Sequence, residues 1–182
     1  MNIKKIEEFS KQIRKNILLA AFSAEEKSAH IGGALSITDI VSVLFGHIMK
    51  LDPTNPLDLE RDRFILSKGH ACLALYSALT EKQFLDKEDL KNYGKNESKL
   101  LGHPTMSKEK GIEFSTGSLG MGLSLGIGSA YAAIKKEKNY NVYVILGDGE
   151  CNEGSVWESV LLASHLKLSN LTVFVDKNNL QQ

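Results

Sequence analysis

The sequence predicts an α/β fold built on a parallel sheet. Two apolar runs carry the prediction, Val142-Tyr143-Val144-Ile145-Leu146 and Leu171-Thr172-Val173-Phe174-Val175, with a helix-like stretch over residues 153–168 between them. Strand, helix and strand at this length make one βαβ unit, and a right-handed crossover makes its strands parallel neighbours. The third observation is the polar turn after each run: Gly147-Asp148-Gly149 after the first, Asn178-Asn179 after the second. Adjacent strands lie about 4.8 Å apart. Asp148 and Asn178 are therefore expected side by side at the carboxyl edge, where open α/β sheets bind ligands.

The remaining elements come in chain order. Residues 6–23 read as an amphipathic helix, with Ile13, Ile17, Leu18 and Ala21 at helical spacing. Gly32-Gly33 breaks the chain. Ser36-Ile37-Thr38-Asp39 has the look of a capping box, opening a helix that runs to about residue 49. Pro53 and Pro56 mark a loop. Residues 63–66 form a short buried strand, 69–79 a helix rich in Ala and Leu, 85–93 a short charged helix, and 96–114 mostly loop. Residues 120–134 form a helix with Leu123, Ile127, Ala130 and Ile134 on one stripe. Gly122 and Gly126, four apart, allow a close backbone approach. No repeat or linker interrupts the chain, so residues 1–182 read as a single domain.

Composition narrows the function classes. The 182 residues are 42% hydrophobic and 24% charged, enough for a real core. A net charge of zero points neither to nucleic acid nor to an anionic membrane. Cys72 and Cys151 have no metal-site spacing and fit a reducing, cytoplasmic setting. The charged N-terminal stretch lacks the apolar core of a signal peptide, and no run approaches 18 apolar residues.

The chemistry of the sheet edge follows from its donors. A carboxylate, an amide oxygen and a backbone carbonyl are hard ligands that suit Mg²⁺ or Ca²⁺, with phosphate oxygens completing the shell. Gly149 has no side chain to keep a phosphate from its N–H, and a helix start nearby adds donors. An ordinary Asp-Gly turn beside an Asn-rich loop is the plain alternative.

At this point the motifs resemble those of transketolases. GDGECNEGSVWESVLLASHLKLSNLTVFVDKNNLQ resembles that family's thiamine diphosphate motif, and SAHIGG (28–33), RDRFILSKGHACLALYSAL (61–79), LLGHPT (100–105) and STGSLGMG (115–122) fall in family order. The wording STGSLGMG, with Ser118 where full-length members often carry proline, is most similar to the N-terminal subunit of a split transketolase. The resemblance implies a diphosphate-binding domain holding thiamine diphosphate and Mg²⁺ (or Ca²⁺). Asp148, Asn178 and the Leu180 carbonyl would be the metal ligands. Gly149, Gly117, Ser118, Leu119 and His70 would lie on the cofactor, and His30 and His103 on the sugar. Glu153 would join a glutamate relay between subunits, while Glu150 reads only as favourable charge in a first helical turn. His30, His70 and His103 sit in Gly-flanked loops and are expected to cluster with Asp148; His47 and His165 read as partly buried helical residues.

The reaction so implied is ketol transfer of a two-carbon unit from a ketose phosphate to an aldose phosphate. Histidine titrates near neutral pH and can supply or remove the protons it needs. In the family, the diphosphate domain continues past the position matching Gln182, and a pyrimidine-binding domain carries the activating glutamate. The resemblance thus implies a chain incomplete at its C-terminus, with strand 171–175 left uncovered. Such a chain would be inactive without a pyrimidine-domain subunit in a homo- or hetero-oligomer. A deoxyxylulose-phosphate synthase-like enzyme shares the Gly-Asp-Gly but fits STGSLGMG and LLGHPT less well; a non-catalytic remnant is the other alternative.

Overall fold

The computed structural model describes residues 2–24 and 29–180. Helix α1 (Ile3–Ser23) opens the chain, capped by the Asn2 side chain, which accepts from the Lys5 N–H. Short helices α2 (Ile31–Ser36) and α3 (Thr38–Val43) come next, then a π-helical turn, Leu44–Ile48. Strand β1 (Arg63–Leu66) leads through a 3₁₀ turn, Gly69–Ala71, into α4 (Cys72–Glu81). Helix α5 (Lys87–Lys91), a long loop and α6 (Gly122–Lys135) precede β2 (Val142–Gly147). A second 3₁₀ turn, Gly149–Asn152, leads to α7 (Gly154–His165) and β3 (Leu171–Asp176).

The three strands form one parallel sheet in the order β1-β2-β3. Alternate strand residues point to opposite faces, and both faces of β1 and β2 are covered, which is why Phe64, Ile65 and Leu66 and the whole of β2 are apolar. Phe64, Leu66, Tyr143 and Ile145 join Ile13 and Ile17 of α1 and the apolar residues of α4 in one core. Ile65, Val142, Val144 and Leu146 join Leu123, Ile127 and Ala130 of α6 and Val156 of α7 in the other. The result is a three-layer α/β/α arrangement. Gly126 is what lets α6 lie against the sheet: a Cβ there would come 2.6 Å from Val144 Cγ2.

Several expectations are corrected. Ser36 ends α2 and caps nothing; its hydroxyl donates to Asp176, and the Asp39 carboxylate is taken by Ser10 and Arg14. The helix expected over residues 36–49 is therefore interrupted at Ile37 and closes in the π turn. Leu18 and Ile134 face outward, 53% and 47% exposed, so the buried stripes run through Ala20 and Ala133 instead. Strand β3, by contrast, is uncovered as expected: it lies at one edge of the sheet, with Val173 and Val175 exposed. Ser28 of the first motif lies outside the described residues.

Candidate active site

The ends of all three strands and two loops meet at one edge of the sheet. The register pairs Gly147 with Asp176, so Asp148 and Asn178 leave neighbouring strands on the same side. Asp148 donates its N–H to the Asp176 carbonyl at 3.2 Å. Its carboxylate accepts from the Gly149 N–H at 3.0 Å and, across to the other turn, from the Asn179 N–H at 2.9 Å. Asn178 gives its amide N–H to Asp176 at 3.1 Å and accepts the Leu180 N–H on its amide oxygen at 2.9 Å. The Asn178 side chain is thus oriented, with its oxygen turned away from Asp176. The expected helix start after Gly149 is a 3₁₀ turn, and α7 itself begins only at Gly154.

Behind these turns lies a buried hub. Lys68, 1% exposed, places Nζ 2.6 Å from Asp176 Oδ2. The Ser36 hydroxyl contacts both Asp176 carboxylate oxygens at 2.6 and 2.7 Å. One carboxylate therefore fastens the end of α2, the segment after β1 and the end of β3. Such a pair is tolerated inside a protein because the Asp176 carboxylate is met by the Ser36 hydroxyl and the Asn178 amide as well as by Lys68.

Three histidines converge on the same edge. The His30 ring centroid lies 5.6 Å from His70 and 6.2 Å from His103. Glycines make the room: a Cβ at Gly33 would be 3.0 Å from the His70 ring, and one at Gly117 2.9 Å from the His103 ring. Burial, and then the charge of Lys68, press His70 down to about 4, with His30 and His103 adding smaller pushes. His70 is neutral at physiological pH. His47 and His165 are apart from this group and exposed, not partly buried.

The segment carrying His103 is held from beneath. Tyr76 donates its hydroxyl to the Leu101 and His103 carbonyls at 3.1 and 3.2 Å, and the Cys72 thiol donates to the Gly102 carbonyl at 3.2 Å. Burial pushes that thiol up to about 12, so Cys72 is inert and structural. The Thr116 N–H bonds the Pro104 carbonyl at 3.2 Å, tying the loop with Gly117, Ser118 and Leu119 to the histidine segment. Beside that loop is a cavity of about 270 Å³ lined by Ser115, Thr116, Ser118, Met121 and Leu125. Among the described residues the buried Thr116 hydroxyl has no hydrogen-bond partner, and Leu119, 40% exposed, presents apolar surface. An apolar groove of about 550 Å³ elsewhere, between α6, α7 and β3, holds none of these groups.

Glu150 differs from its sequence reading. Glu150 is buried, and its carboxylate accepts from the Ser67 hydroxyl and from the Gly120 and Gly147 N–H groups. No signal in the sequence marks it, because its partners are backbone groups and a serine 83 positions away. Cys151 is half-buried, its thiol pushed up by burial and by the Glu150 and Asp148 carboxylates. Glu153 is exposed at the N-cap of α7, close against Gly120.

Polar loops gathered at the carboxyl ends of parallel strands define an α/β domain of the class that binds its ligand at that edge. The family is narrower: the chain belongs to the transketolase thiamine diphosphate binding domains, whose family profile, "Transketolase, thiamine diphosphate binding domain", matches residues 9–182. The chain is 41% identical over 181 residues to one subunit of the apulose-4-phosphate transketolase of Phocaeicola vulgatus, covering 100% of this chain and 63% of that protein. It is 41% identical over 152 residues to a 6-deoxy-6-sulfo-D-fructose transketolase subunit of a Clostridium species, covering 84% and 55% respectively. The transketolase of Campylobacter jejuni superposes with a TM-score of 0.90 at 36% identity, over 100% of this chain and 29% of that one. The chain thus spans less than two thirds of the length of these relatives.

Proposed function

We propose that this chain is the cofactor-holding part of a split transketolase. It would bind thiamine diphosphate through a divalent cation and take part in two-carbon ketol transfer between sugar phosphates. The observation that carries the reading is the convergence, on one sheet edge, of the Asp148 and Asn178 turns with His30, His70 and His103. Two relatives are each named as one subunit of an apulose-4-phosphate transketolase, which supports a partner that carries the pyrimidine-binding domain. A cytoplasmic setting is part of the same proposal.

The donor set fits the metal. Among the described residues no Lys, Arg or His forms an ion pair with Asp148. Its charge has no counter-ion among them, and a carboxylate accepting two N–H groups still has lone pairs to offer. Among the described residues no three His, Cys, Asp or Glu side chains could hold a metal together. The Asn178 oxygen, the Leu180 carbonyl and diphosphate oxygens would complete the shell, a mixture that suits Mg²⁺ or Ca²⁺. Gly149 would admit the diphosphate. Gly117, Ser118 and the apolar Leu119 would lie on the rings, with the unpartnered Thr116 hydroxyl close by.

When bound, thiamine diphosphate supplies the electron sink that carbon–carbon cleavage requires. The chain's own residues do the rest. His30 and His103, exposed at the mouth, would bind sugar hydroxyls and move protons. His70, held neutral, would hydrogen-bond without adding charge. Glu153, exposed beside Gly120, would belong to a glutamate relay reaching toward a neighbouring subunit.

The test is a two-carbon transfer assay on the full-length protein with its partner. Asp148→Ala should abolish activity at any attainable cofactor concentration. His103→Ala should keep cofactor binding and turn over about 10²–10⁴-fold more slowly. An Asp148→Ala protein as active as the wild type would end the metal-site reading.

A further inference from the structure

We propose that Glu150 is a positioning residue that fixes the spacing between the Asp148–Gly149 turn and the 117–119 loop, so that one ligand is gripped by both; this rests on the thiamine diphosphate reading above. Glu150 is 3% exposed, although it comes directly after a Gly-Asp-Gly turn where a solvated carboxylate would be ordinary. A buried carboxylate is costly unless hydrogen bonds meet its charge. Here three donors do so, and they come from three different places. Oε1 accepts the Gly120 N–H at 2.8 Å and the Ser67 hydroxyl, while Oε2 accepts the Gly147 N–H at 3.0 Å.

Each donor belongs to a separate part of the site. Ser67 comes just after β1, Gly147 ends β2, and Gly120 lies in the loop entering α6. Ser67 extends the connection, because its oxygen also accepts the Gly122 N–H at 3.1 Å. Gly120 is held from a second side as well: its carbonyl accepts the Ser155 hydroxyl at 2.9 Å. Its φ of +84° favours glycine, and a Cβ there would lie 2.7 Å from Glu153 Cβ. The loop is therefore clipped to the 147–155 segment at both polar groups of one residue.

Charge-assisted hydrogen bonds are short and directional, so they set a distance rather than merely add stability. Binding sites lose function when their parts drift by about 0.5 Å. Without the Glu150 bonds the two parts would be spaced by the Ser155–Gly120 bond and by packing, neither of which meets the Gly120 N–H. An aspartate would be too short to reach all three donors. A glutamine would turn an N–H₂ group toward one of them.

The experiment compares two ligands on the full-length protein with its partner, by calorimetric titration in the presence of Mg²⁺. Thiamine diphosphate spans both clipped parts; inorganic pyrophosphate engages only the Asp148–Gly149 turn. Ser67→Ala removes the Gly122 arm and the serine's bond to Glu150 and leaves the Gly120 and Gly147 bonds in place, and Glu150→Gln disturbs the whole clip. Both variants should lose affinity for thiamine diphosphate by about tenfold or more, with Ser67→Ala leaving pyrophosphate affinity unchanged. Amide hydrogen exchange, without ligand, should quicken at Gly122 in Ser67→Ala and at Gly120 in Glu150→Gln, while exchange in α4 stays as in the wild type. Equal weakening of both ligands in Ser67→Ala, or no loss of thiamine diphosphate affinity in either variant, overturns the positioning role, as does unchanged exchange at Gly122 in Ser67→Ala and at Gly120 in Glu150→Gln. A wild type that binds neither ligand overturns the cofactor reading instead, and the exchange measurement then still decides whether the clip holds the loop.

Discussion

His70 is the residue whose surroundings set its chemistry most firmly. Burial and the neighbouring Lys68 charge take its folded value down to about 4 from the ordinary 6.5. Between those two values the unfolded chain binds more protons than the folded one, so stability rises with pH across that window. The contribution is fully present above pH 6.5 and is lost as pH falls toward about 4. An NMR titration of the His70 ring should therefore find it neutral at pH 6; a midpoint near 6.5 would contradict the structure. The three clustered histidines are legible in the sequence through the transketolase-like motifs that carry them; their Gly-flanked, loop-like contexts alone read as plain loop. Glu150 is not, since a first-turn glutamate looks the same in sequence whether it faces water or three donors. His47 and His165 separate correctly from the site, but helical spacing does not reveal that they lie in the open.

At the scale of elements, the Lys68–Asp176 pair decides whether β1 and β3 present their loops together. Lys68→Ala leaves a buried carboxylate met, among the described residues, by Ser36 and Asn178 alone, and should cost about 3–5 kcal/mol, read from the denaturation midpoint. A loss below about 1 kcal/mol would mean the pair behaves as an exposed one. Gly126→Val drives a side chain into Val144 and should cost about 1–3 kcal/mol by the same measurement. An unchanged midpoint would mean that α6 shifts freely on the sheet. The βαβ unit is readable because β2 and β3 are uninterrupted apolar runs bounded by Gly, Asp and Asn. The Ser36 capping box misleads because its side chain has a stronger partner 140 positions away, which no local pattern announces. The π turn before Met49 has no signal at all: the Met49 N–H bonds the Leu44 carbonyl, and the sequence there reads as plain helix.

For the whole molecule, three layers fix where the loops can meet. Helices α1, α3 and α4 cover one face of the sheet and α6 and α7 the other, so the carboxyl edge is where Asp148, Asn178 and the histidines remain approachable. That edge carries the central claim, a thiamine diphosphate site closed by a divalent cation. The direct test is a calorimetric titration of thiamine diphosphate into the full-length protein and its partner, with and without Mg²⁺, for wild type and Asp148→Ala. The account predicts saturable wild-type binding that requires Mg²⁺ and is lost in Asp148→Ala. Wild-type binding of equal affinity without any divalent cation, or undiminished affinity in Asp148→Ala, would contradict it.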